Sequence, residues 1–296
     1  MTATLYRRIG QFYDAASPLW EKVWGEHMHH GYYGPKGTQR KDRYQAQIDL
    51  MEALLEWGQI ETVTEFLDAG CGVGGSTLYL AQKYGARGVG ITLSSVQAQR
   101  AQERVLETLT TAADCPYEPA DPGPRASFQV ANALATGFPD QSFDLIWSLE
   151  SGEHMPDKRA FLEECYRQLK PGGRLLMATW CHRPTDSLAG PLTASETRHL
   201  DNLYQVYHLP YVLSLPEYRA LAQAAGFENL RTADWSNQVE YFWTDVITSA
   251  LDPQVALGIL EAGPSTIQGA LALNLMLSGF QRGLIRFGLL YGEKVV

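Results

Sequence analysis

The 296-residue sequence lacks the features that mark several large classes of protein. No apolar run reaches the roughly 20 residues that a membrane-spanning helix requires. Arg7 and Arg8 are not followed by an apolar segment, so no secretory signal peptide is expected. The four cysteines include no Cys-x-x-Cys pair, which argues against a zinc site and against a disulfide framework. We therefore expect a protein of a reducing compartment, not secreted, and soluble to peripheral at a membrane.

The charges do not favour a nucleic-acid partner. Lys and Arg number 24 and Asp and Glu number 33, which gives a formal net charge of -9, and no basic cluster is present. The hydrophobic share of 45% is typical of a soluble globular protein. Because there is no repeat and no low-complexity linker, residues 1–296 are expected to form one domain with no obligate protein partner.

A glycine-rich turn at residues 65–75 is the feature around which the chain is organised. Gly70, Gly72 and Gly75 have the spacing of a dinucleotide-binding fingerprint, which is a weak signal by itself. Asp68 would repel a pyrophosphate but could hold an amino group. The Asp-x-Gly-x-Gly pattern resembles motif I of the S-adenosylmethionine-dependent methyltransferases, whose methionine moiety lies against this loop. A purely structural glycine turn is the alternative.

Segments with strand character alternate with segments of helical periodicity. Strands are expected at residues 63–67, 86–93, 127–131, 143–148, 174–180, 229–235 and 284–291. Helices are expected at residues 44–57, 77–83, 95–109, 157–169 and 216–225. Short links between them indicate a mostly parallel sheet with helices on both faces. The predicted fold class is α/β, a Rossmann-like class I methyltransferase fold with seven strands and a helical cap.

The predicted domain has four parts. Residues 1–60 are expected to form an N-terminal helical lid, and residues 61–180 the S-adenosylmethionine-binding core. Residues 181–215 and 236–283 are expected to be cap insertions that line the acceptor pocket.

Three local features refine this picture. An amphipathic segment at residues 5–24 is expected to break near Ser17 and Pro18. A loop rich in Pro, Asp and Gly is expected at residues 112–124, and residues 171–173 are expected to stop the helix before the fifth strand.

Later positions match places where methyltransferases hold the donor. A dehydrogenase would carry an acid about 20 residues past its glycines, but Thr92 stands there and, with Leu93 and Gln97, resembles the lipid-modifying branch of cyclopropane synthases and sterol methyltransferases. Asn132, beside Ala133, occupies the usual position of an Asp that holds adenine, and its amide still offers an acceptor. The predicted donor-binding residues are Asp68, Gly70, Cys71, Gly72, Gly74, Thr92, Leu93, Gln97, Asn132, Ala133, Ser148 and Glu150.

Residues 147–155 follow the fourth strand, at the sheet edge where a donor methyl would point. Glu150, Glu153 and His154 share one turn of this stretch, which makes them candidate catalytic residues. The alternative is that Glu150 caps a helix and His154 is an ordinary hydrogen-bonded loop histidine.

A second loop, at residues 24–35, is rich in aromatic residues and contains His27, His29 and His30. No acidic or cysteine ligand is placed to complete a site with these histidines, so no metal is predicted. A lid over the active site is the expected role.

Three stretches carry a resemblance more specific than the fold. Residues 24–33, 148–156 and 178–184 resemble the tocopherol methyltransferases of cyanobacteria and plastids. Shorter matches extend the resemblance to residues 191–193, 209–211 and 232–235. The resemblance implies S-adenosyl-L-methionine as the cofactor, S-adenosyl-L-homocysteine as the product, a lipophilic phenol as the acceptor, and the bacterial cytoplasm or a plastid as the location. It implies methylation of the aromatic carbon beside the chromanol hydroxyl, which gives alpha- from gamma-tocopherol.

The implied acceptor carbon is weakly nucleophilic until its phenol, with a pKa of about 10, loses a proton to a nearby base. His154, helped by Glu150 or Glu153, is the expected base, with His29 or His30 as the alternative. Aromatic faces are expected to stabilise the sulfonium or contact the acceptor; the candidates are Tyr13, Tyr32, Tyr33, Trp147 and Trp180. A prenylquinol, sterol or amine acceptor, an NAD-binding oxidoreductase and a non-catalytic binding module are the other interpretations.

Residues 267–290 are unusually apolar, with Arg282 and Arg286 at helical spacing. Together with Trp20 and Trp24, they predict a surface that contacts anionic lipid headgroups. The alternative is that both segments complete the core and line the acceptor pocket.

Overall fold

The computed structural model describes residues 2–113, 125–186, 188–261, 263, 267 and 272–295. In this part of the chain seven strands form one sheet in the order β3-β2-β1-β4-β5-β7-β6. The strands are β1 (Glu65–Ala69), β2 (Arg87–Thr92), β3 (Arg125–Val130), β4 (Phe143–Leu149), β5 (Leu169–His182), β6 (Glu228–Asp234) and β7 (Ile285–Glu293). The first five strands are parallel, and β7 runs antiparallel to both β5 and β6. The predicted mostly parallel, seven-stranded α/β fold is confirmed.

The helices connect and cover these strands. They are α1 (Thr2–Trp24), α2 (Arg43–Gly58), α3 (Gly75–Tyr84), α4 (Ser95–Ala113), α5 (Lys158–Gln168), α6 (Ala194–Val206), α7 (Leu215–Ala224), α8 (Ser236–Val239), α9 (Tyr241–Ser249), α10 (Pro253–Glu261) and α11 (Leu273–Gln281), with a 3₁₀ turn at Gly152–His154. Several begin at side-chain caps: Asp157 accepts from Ala160 N, and Thr193 and Glu196 form a capping box at α6.

The sheet separates two apolar layers because neighbouring strand residues point to opposite faces. In β1, Phe66 belongs to the layer that also contains α2, whereas Leu67 belongs to the layer of α5 and α7. In β4, Trp147 lies in the first layer and Ile146 in the second. This alternation leaves the carboxyl ends of the parallel strands free to form a site.

Three local predictions are corrected. Helix α1 runs through Pro18 without a break. Asp14 and Ser17, in the turn before this proline, accept hydrogen bonds from Ser94 and Gln97 at the start of α4, which hold the helix in place. Helix α5 ends at Gln168 before residues 171–173 are reached, and Leu169 already pairs with Phe143. Residues 170–173 instead form an irregularity within β5, after which Arg174 pairs with Leu145. Of the predicted loop at 112–124, residues 112 and 113 end α4 and the others lie outside the described residues.

The apolar segment at 267–290 is not one helix. Helix α11 ends at Gln281 and β7 begins at Ile285, so Arg282 and Arg286 do not share a helical face. Arg286 lies on β7 with its guanidinium 3.5 Å from a carboxylate oxygen of Asp234. Residues 268–271 lie outside the described residues. No helix in the described ranges is long and apolar enough to cross a membrane.

Candidate active site

A cavity opens at the carboxyl ends of β1 to β4, beneath α1 and the loop at residues 25–34, and its empty space of about 980 Å³ includes part of the open solvent at its mouth. Among the predicted site residues, those that line it are Tyr13, His29, Asp68, Gly70, Cys71, Gly72, Thr92, Leu93, Gln97, Asn132, Ala133, Glu150 and His154. Those that lie outside its lining are His30, Tyr32, Tyr33, Gly74, Trp147, Ser148, Glu153 and Trp180. Lining residues that the sequence did not single out include Tyr6, Ile9, Met28, Ser151 and Met155.

The glycine turn places a buried acid at the floor of this cavity. Asp68 is 1% exposed and its Oδ2 accepts a hydrogen bond from the Thr77 hydroxyl at 2.7 Å. Burial raises the pKa of Asp68 to about 7. A cation beside this carboxylate would restore its ionised form. The site can therefore hold a positively charged group.

The glycines of the turn have different roles. Gly72 has a φ of +53° and a Cβ there would meet no atom within 4 Å, so bare backbone faces the cavity. A Cβ at Gly70 would collide with Ser151. A Cβ at Gly74 would lie 2.8 Å from both Ala101 and Phe128, so Gly74 serves packing beneath the turn and does not face the cavity.

Thr92 and Gln97 form the next wall. The Thr92 hydroxyl donates to Gln97 Oε1 at 2.7 Å, and Gln97 Nε2 donates to the Ser17 hydroxyl at 3.0 Å. On the neighbouring strand end, Asn132 Oδ1 accepts from Leu134 N at 3.0 Å, which orients the amide. These polar groups can recognise hydroxyl and amino groups of a ligand.

Helix α1 closes the cavity from above and is fastened to α4 along its length. Asp14 Oδ1 accepts from the Ser94 hydroxyl at 2.5 Å. Further along, Arg104 forms ion pairs with Glu21 at 2.6 Å and with Glu26 at 2.5 Å. Nothing in the sequence spacing indicated these pairs, which join residues about 80 positions apart.

Tyr13 of α1 meets His154 over the cavity. The hydroxyl of Tyr13 lies 2.7 Å from His154 Nε2, and the rings are edge to face at 5.4 Å. Burial, with the positive charge of Lys158 and the proximity of His208, lowers the pKa of His154 to about 3. The imidazole is therefore neutral at pH 7, and its buried Nδ1 has no hydrogen-bond partner among the described residues. A neutral imidazole has a lone pair that can accept a proton, and the low pKa makes this one a weak base.

Glu150 is held by three donors and is not free to move protons. Its carboxylate accepts from His30 N at 2.6 Å, from His30 Nδ1 at 2.7 Å and from Trp180 Nε1 at 3.1 Å. Burial opposes ionisation, but the charge and hydrogen bonds of His30 outweigh it and lower the pKa of Glu150. Glu150 thus places a fixed negative charge at the cavity wall.

Glu153 points away from the cavity. Its Oε2 accepts from the Thr179 hydroxyl at 2.7 Å, and burial together with the charge of Glu150 raises its pKa to about 7. Across the described contacts, neither Glu150 nor Glu153 hydrogen-bonds to His154. Each carboxylate is bound by a different neighbour, so the predicted help to His154 has no hydrogen bond behind it and stays a prediction.

His29 presents a second neutral imidazole to the cavity. Its Nδ1 lies 2.8 Å from the carbonyl oxygen of His30, which can only accept, so Nδ1 carries the proton. Burial lowers the pKa of His29. Its Nε2 is consequently a lone-pair acceptor, buried and without a partner in the part of the chain that the structure describes. Gln47 fixes this loop by donating to the carbonyl oxygens of His27 and His29.

Comparisons with known proteins identify the family to which this chain belongs. A family model described as a methyltransferase domain matches residues 67–177. The chloroplastic tocopherol O-methyltransferase of Arabidopsis thaliana is 40% identical over 302 residues, which cover 99% of this chain and 83% of that protein. The chain belongs to the tocopherol methyltransferase family. It is an S-adenosylmethionine-dependent methyltransferase, as the glycine turn and Asp68 predicted.

Two further comparisons show that similar proteins differ in what they act on. The 2-methyl-6-phytyl-1,4-hydroquinone methyltransferase of Synechocystis sp. is 36% identical and covers 91% of this chain and 81% of that protein. The crystal structure of the [4+2]-cyclase SpnF superposes with a TM-score of 0.77 at 24% identity, covering 97% of this chain and 95% of that chain. That likeness shows the fold alone, and the acceptor of this methyltransferase depends on the residues of its site.

Most of the aromatic residues predicted to face the ligand are packed elsewhere in this methyltransferase. Tyr32 packs against Trp235 with the ring planes tilted by 44°, and Tyr33 is fully buried against Tyr241. Trp147 is 1% exposed because its position in β4 faces the apolar layer of α2. Trp180 also lies outside the cavity lining, so of the five candidates Tyr13 is the one that lines it. For the other four, contact with a ligand stays a prediction that the cavity lining does not support.

Two other predicted residues also act from outside the cavity. The Ser148 hydroxyl lies 2.9 Å from the Ser151 hydroxyl, which in turn bonds to the carbonyl oxygen of Ala69. Ser148 therefore supports the turn after β4 instead of facing a ligand. The ring of His30 lies behind Glu150, 4.7 Å from the ring of Phe242, and is likewise a support.

Proposed function

We propose that this protein transfers the methyl group of S-adenosylmethionine to a ring carbon of a lipophilic phenol, converting gamma- to alpha-tocopherol. The observation that carries the proposal is the Tyr13–His154 contact, which places a neutral base above the donor cavity. The relatives named tocopherol O-methyltransferase support the choice of acceptor. The names of relatives from chloroplasts and from Synechocystis support a plastid or a bacterium as the location.

The cavity fits the donor. The carboxylate of Asp68 would hold the amino group, and the exposed backbone at Gly70 and Gly72 would lie against the methionine moiety. Thr92 and Gln97 would meet the ribose hydroxyls, and Asn132 the adenine amino group. When bound, S-adenosylmethionine supplies an electrophilic methyl group on a sulfonium and is left as S-adenosylhomocysteine.

His154 would take the proton of the phenol. A neutral imidazole at pH 7 can accept this proton, and the resulting phenolate makes the neighbouring ring carbon nucleophilic. That carbon would form a bond to the methyl group while the donor sulfur keeps the electrons of the broken bond. Its hydrogen would then leave as a proton to the phenol oxygen, which restores the aromatic phenol, and His154 would release its own proton to solvent. Helix α1 would exclude water and, through Tyr13, would orient the imidazole when the lid is closed.

Glu150 would act by its charge. Its carboxylate keeps a lowered pKa although it is buried, so a negative charge faces the cavity throughout the neutral range. Such a charge attracts a cationic donor more strongly than its neutral product. Release of S-adenosylhomocysteine would be favoured for the same reason.

A prenylquinol acceptor is the second candidate, because a hydroquinone methyltransferase is 36% identical to this chain. Its ring also carries a phenolic hydroxyl, so His154 would have the same role. An amine acceptor is a weaker candidate, supported by the norajmaline N-methyltransferase of Rauvolfia serpentina at 28% identity.

A screen with methyl-labelled S-adenosylmethionine tests the proposal. Gamma-tocopherol, delta-tocopherol, 2-methyl-6-phytyl-1,4-hydroquinone and a tertiary-amine precursor are compared in detergent micelles, and NMR of the product separates ring methylation from ether formation. We expect label on the ring carbon of gamma-tocopherol, with a free hydroxyl in the product. Label only on oxygen, or only on the amine, would refute the proposed chemistry, and a preference for the hydroquinone would favour the second candidate.

A further inference from the structure

Lys158 occupies the first position of α5 and is almost completely buried. It is 1% exposed, and its Nζ donates to the carbonyl oxygen of Glu153 at 2.8 Å and to that of Met155 at 2.6 Å. These two residues flank His154 in the chain. The same nitrogen lies 4.7 Å from the centre of the Tyr211 ring. The Lys158 side chain thus donates hydrogen bonds to the backbone on both sides of the candidate base.

The helix itself does not need this lysine. Asp157 already caps α5 by accepting from Ala160 N at 2.9 Å. Burying an ammonium group costs several kcal/mol unless hydrogen bonds replace those to water. An apolar side chain would fill the same space at a lower desolvation free energy. What an apolar side chain could not supply is the pair of donors to residues 153 and 155.

A side chain contacts only one of the two ring nitrogens of His154 among the described residues. Such an imidazole is normally fixed by a second group on the nitrogen opposite the reacting one. Here Nε2 meets Tyr13, but Nδ1 has no partner among the described residues. The Tyr13 hydroxyl therefore holds the ring at one nitrogen only, and the backbone on either side of His154 sets where the ring lies.

We propose that Lys158 is the positioning residue of His154, fixing the imidazole by tethering the carbonyl groups on either side of it. The proposal rests on the proposed function in that His154 is taken to be the base. The tether would work in both protonation states of Lys158, because an ammonium has three N–H donors and a neutral amine has two.

The charges around Lys158 support this role. Burial lowers its pKa to about 7, against the raising effects of Glu153 on the 3₁₀ turn and Cys181 on β5, and Tyr211 packs over it from the loop before α7. When charged, Lys158 contributes with burial and His208 to the low pKa of His154. The same residue would thus hold the imidazole in place and keep it neutral.

The test compares Lys158→Met, which is one atom shorter, stays unbranched and removes the donors, with the control Lys170→Met. Lys170 is bound to Glu65 and Asp144 at the opposite end of the sheet. Ring ¹⁵N spectra of histidine-labelled protein, with His154 assigned from His154→Ala, report orientation without any acceptor. We expect wild type and Lys170→Met to show one neutral tautomer of His154, and Lys158→Met to show an average of two. Unchanged His154 signals in Lys158→Met would overturn the proposal.

Kinetics give the second readout. Lys158→Met should lower kcat by about tenfold to 100-fold, the scale of a misplaced reacting group, while the Kd of S-adenosylhomocysteine stays within about twofold. In a double variant with His154→Ala the two losses should not add, because both act through one imidazole. Additive losses would overturn the proposal.

A further variant covers the case in which Lys158→Met does not fold. Lys158→Gln retains a donor but not the charge, and it should restore a single tautomer of His154 in the same spectra; tautomer averaging there would also count against the tether. If wild type methylates no phenol, the proposed function fails, and the spectra still decide the role of Lys158.

Discussion

The hydroxyl of Tyr13 and Nε2 of His154 lie 2.7 Å apart and join α1 to the 3₁₀ turn after β4, across 141 positions of sequence. Burial raises the pKa of Tyr13 well above its ordinary value and lowers that of His154 to about 3. Both groups are therefore neutral at pH 7, and the bond couples the position of the lid to that of the base.

Replacing His154 should affect turnover much more than donor binding. We expect His154→Ala to lower kcat by about 10²- to 10⁴-fold, the usual contribution of a general base, with an unchanged Kd for S-adenosylhomocysteine by calorimetry. Raising the pH towards the phenol pKa of about 10 should rescue the variant partly, because the acceptor then ionises unaided. Tyr13→Phe should lose less, since it keeps the imidazole. Near-normal turnover of His154→Ala at pH 7 would show that His154 is not the base. His29, whose ring lines the cavity with Nε2 unpartnered among the described residues, would then be the next candidate.

The glycine turn offers a matched pair of substitutions. Gly72 and Gly85 both have positive φ, at +53° and +62°, and a Cβ at either meets no atom within 4 Å. Asn tolerates this backbone conformation, so neither Gly72→Asn nor Gly85→Asn should disrupt the fold. Only Gly72 lines the cavity, so we expect only Gly72→Asn to weaken S-adenosylhomocysteine binding, by about tenfold or more for an overpacked contact. Equal affinities by calorimetry would contradict the assignment of the turn.

The sheet and the donor side of the site could be predicted because their signals are local. Asp68 and the glycines are contiguous in sequence, and Thr92 and Asn132 each follow a recognisable strand. Alternation along β4 also carried a signal that the sequence analysis did not use: Leu145, Trp147 and Leu149 share one apolar layer, so Trp147 had to be buried.

The acceptor side could not be predicted because its contacts are non-local. Glu150 and Glu153 are three residues apart on one turn, yet His30 and Trp180 hold the first and Thr179 holds the second. Their pKa values move in opposite directions for this reason. Only the folded chain brings the lid residue His30 to Glu150.

Asp68 should show a conflict between function and stability. Burial raises its pKa from 3.8 to about 7, so the folded state binds an extra proton between these values. The stabilisation from this proton is fully present below pH 3.8 and is lost as the pH rises through about 7. Asp68→Asn should therefore melt at a higher temperature than wild type at pH 8 and at about the same temperature at pH 4, while binding S-adenosylhomocysteine much more weakly.

Asp144 provides the control of opposite sign. Burial opposes its ionisation, but Lys170 and the N–H groups of Thr64 and Glu65 lower its pKa, so its carboxylate stabilises the fold at pH 8 and this stabilisation is lost as the pH falls through the lowered pKa. Asp144→Asn should melt at a lower temperature than wild type at pH 8 and keep donor binding. Identical pH profiles for the two variants would show that burial of Asp68 is not the cause.

The last prediction concerns contact with lipid, which a tocopherol substrate would require. The pair Arg282 and Arg286 no longer supports it, because Arg282 lies in the turn after α11, whereas Arg286 lies on β7 and faces Asp234. Exposed apolar side chains still favour contact with lipid. On and beside α10, which contacts α1, Leu251, Leu257 and Leu260 are 78%, 56% and 63% exposed.

These leucines favour weak binding that does not depend on charge. Burying each one contributes at most about 1.5 to 3 kcal/mol, and a formal net charge of -9 gives no attraction to anionic headgroups. We expect the protein to float with zwitterionic liposomes to the same extent at low and high salt, and Leu257→Glu with Leu260→Glu to abolish flotation. Leu106→Glu, at a leucine of α4 that is 59% exposed, is the matched control and should float as wild type does. If no protein migrates with any liposome, with or without tocopherol in the bilayer, the exposed leucines of α10 do not bind lipid, and the substrate must reach the cavity by another route.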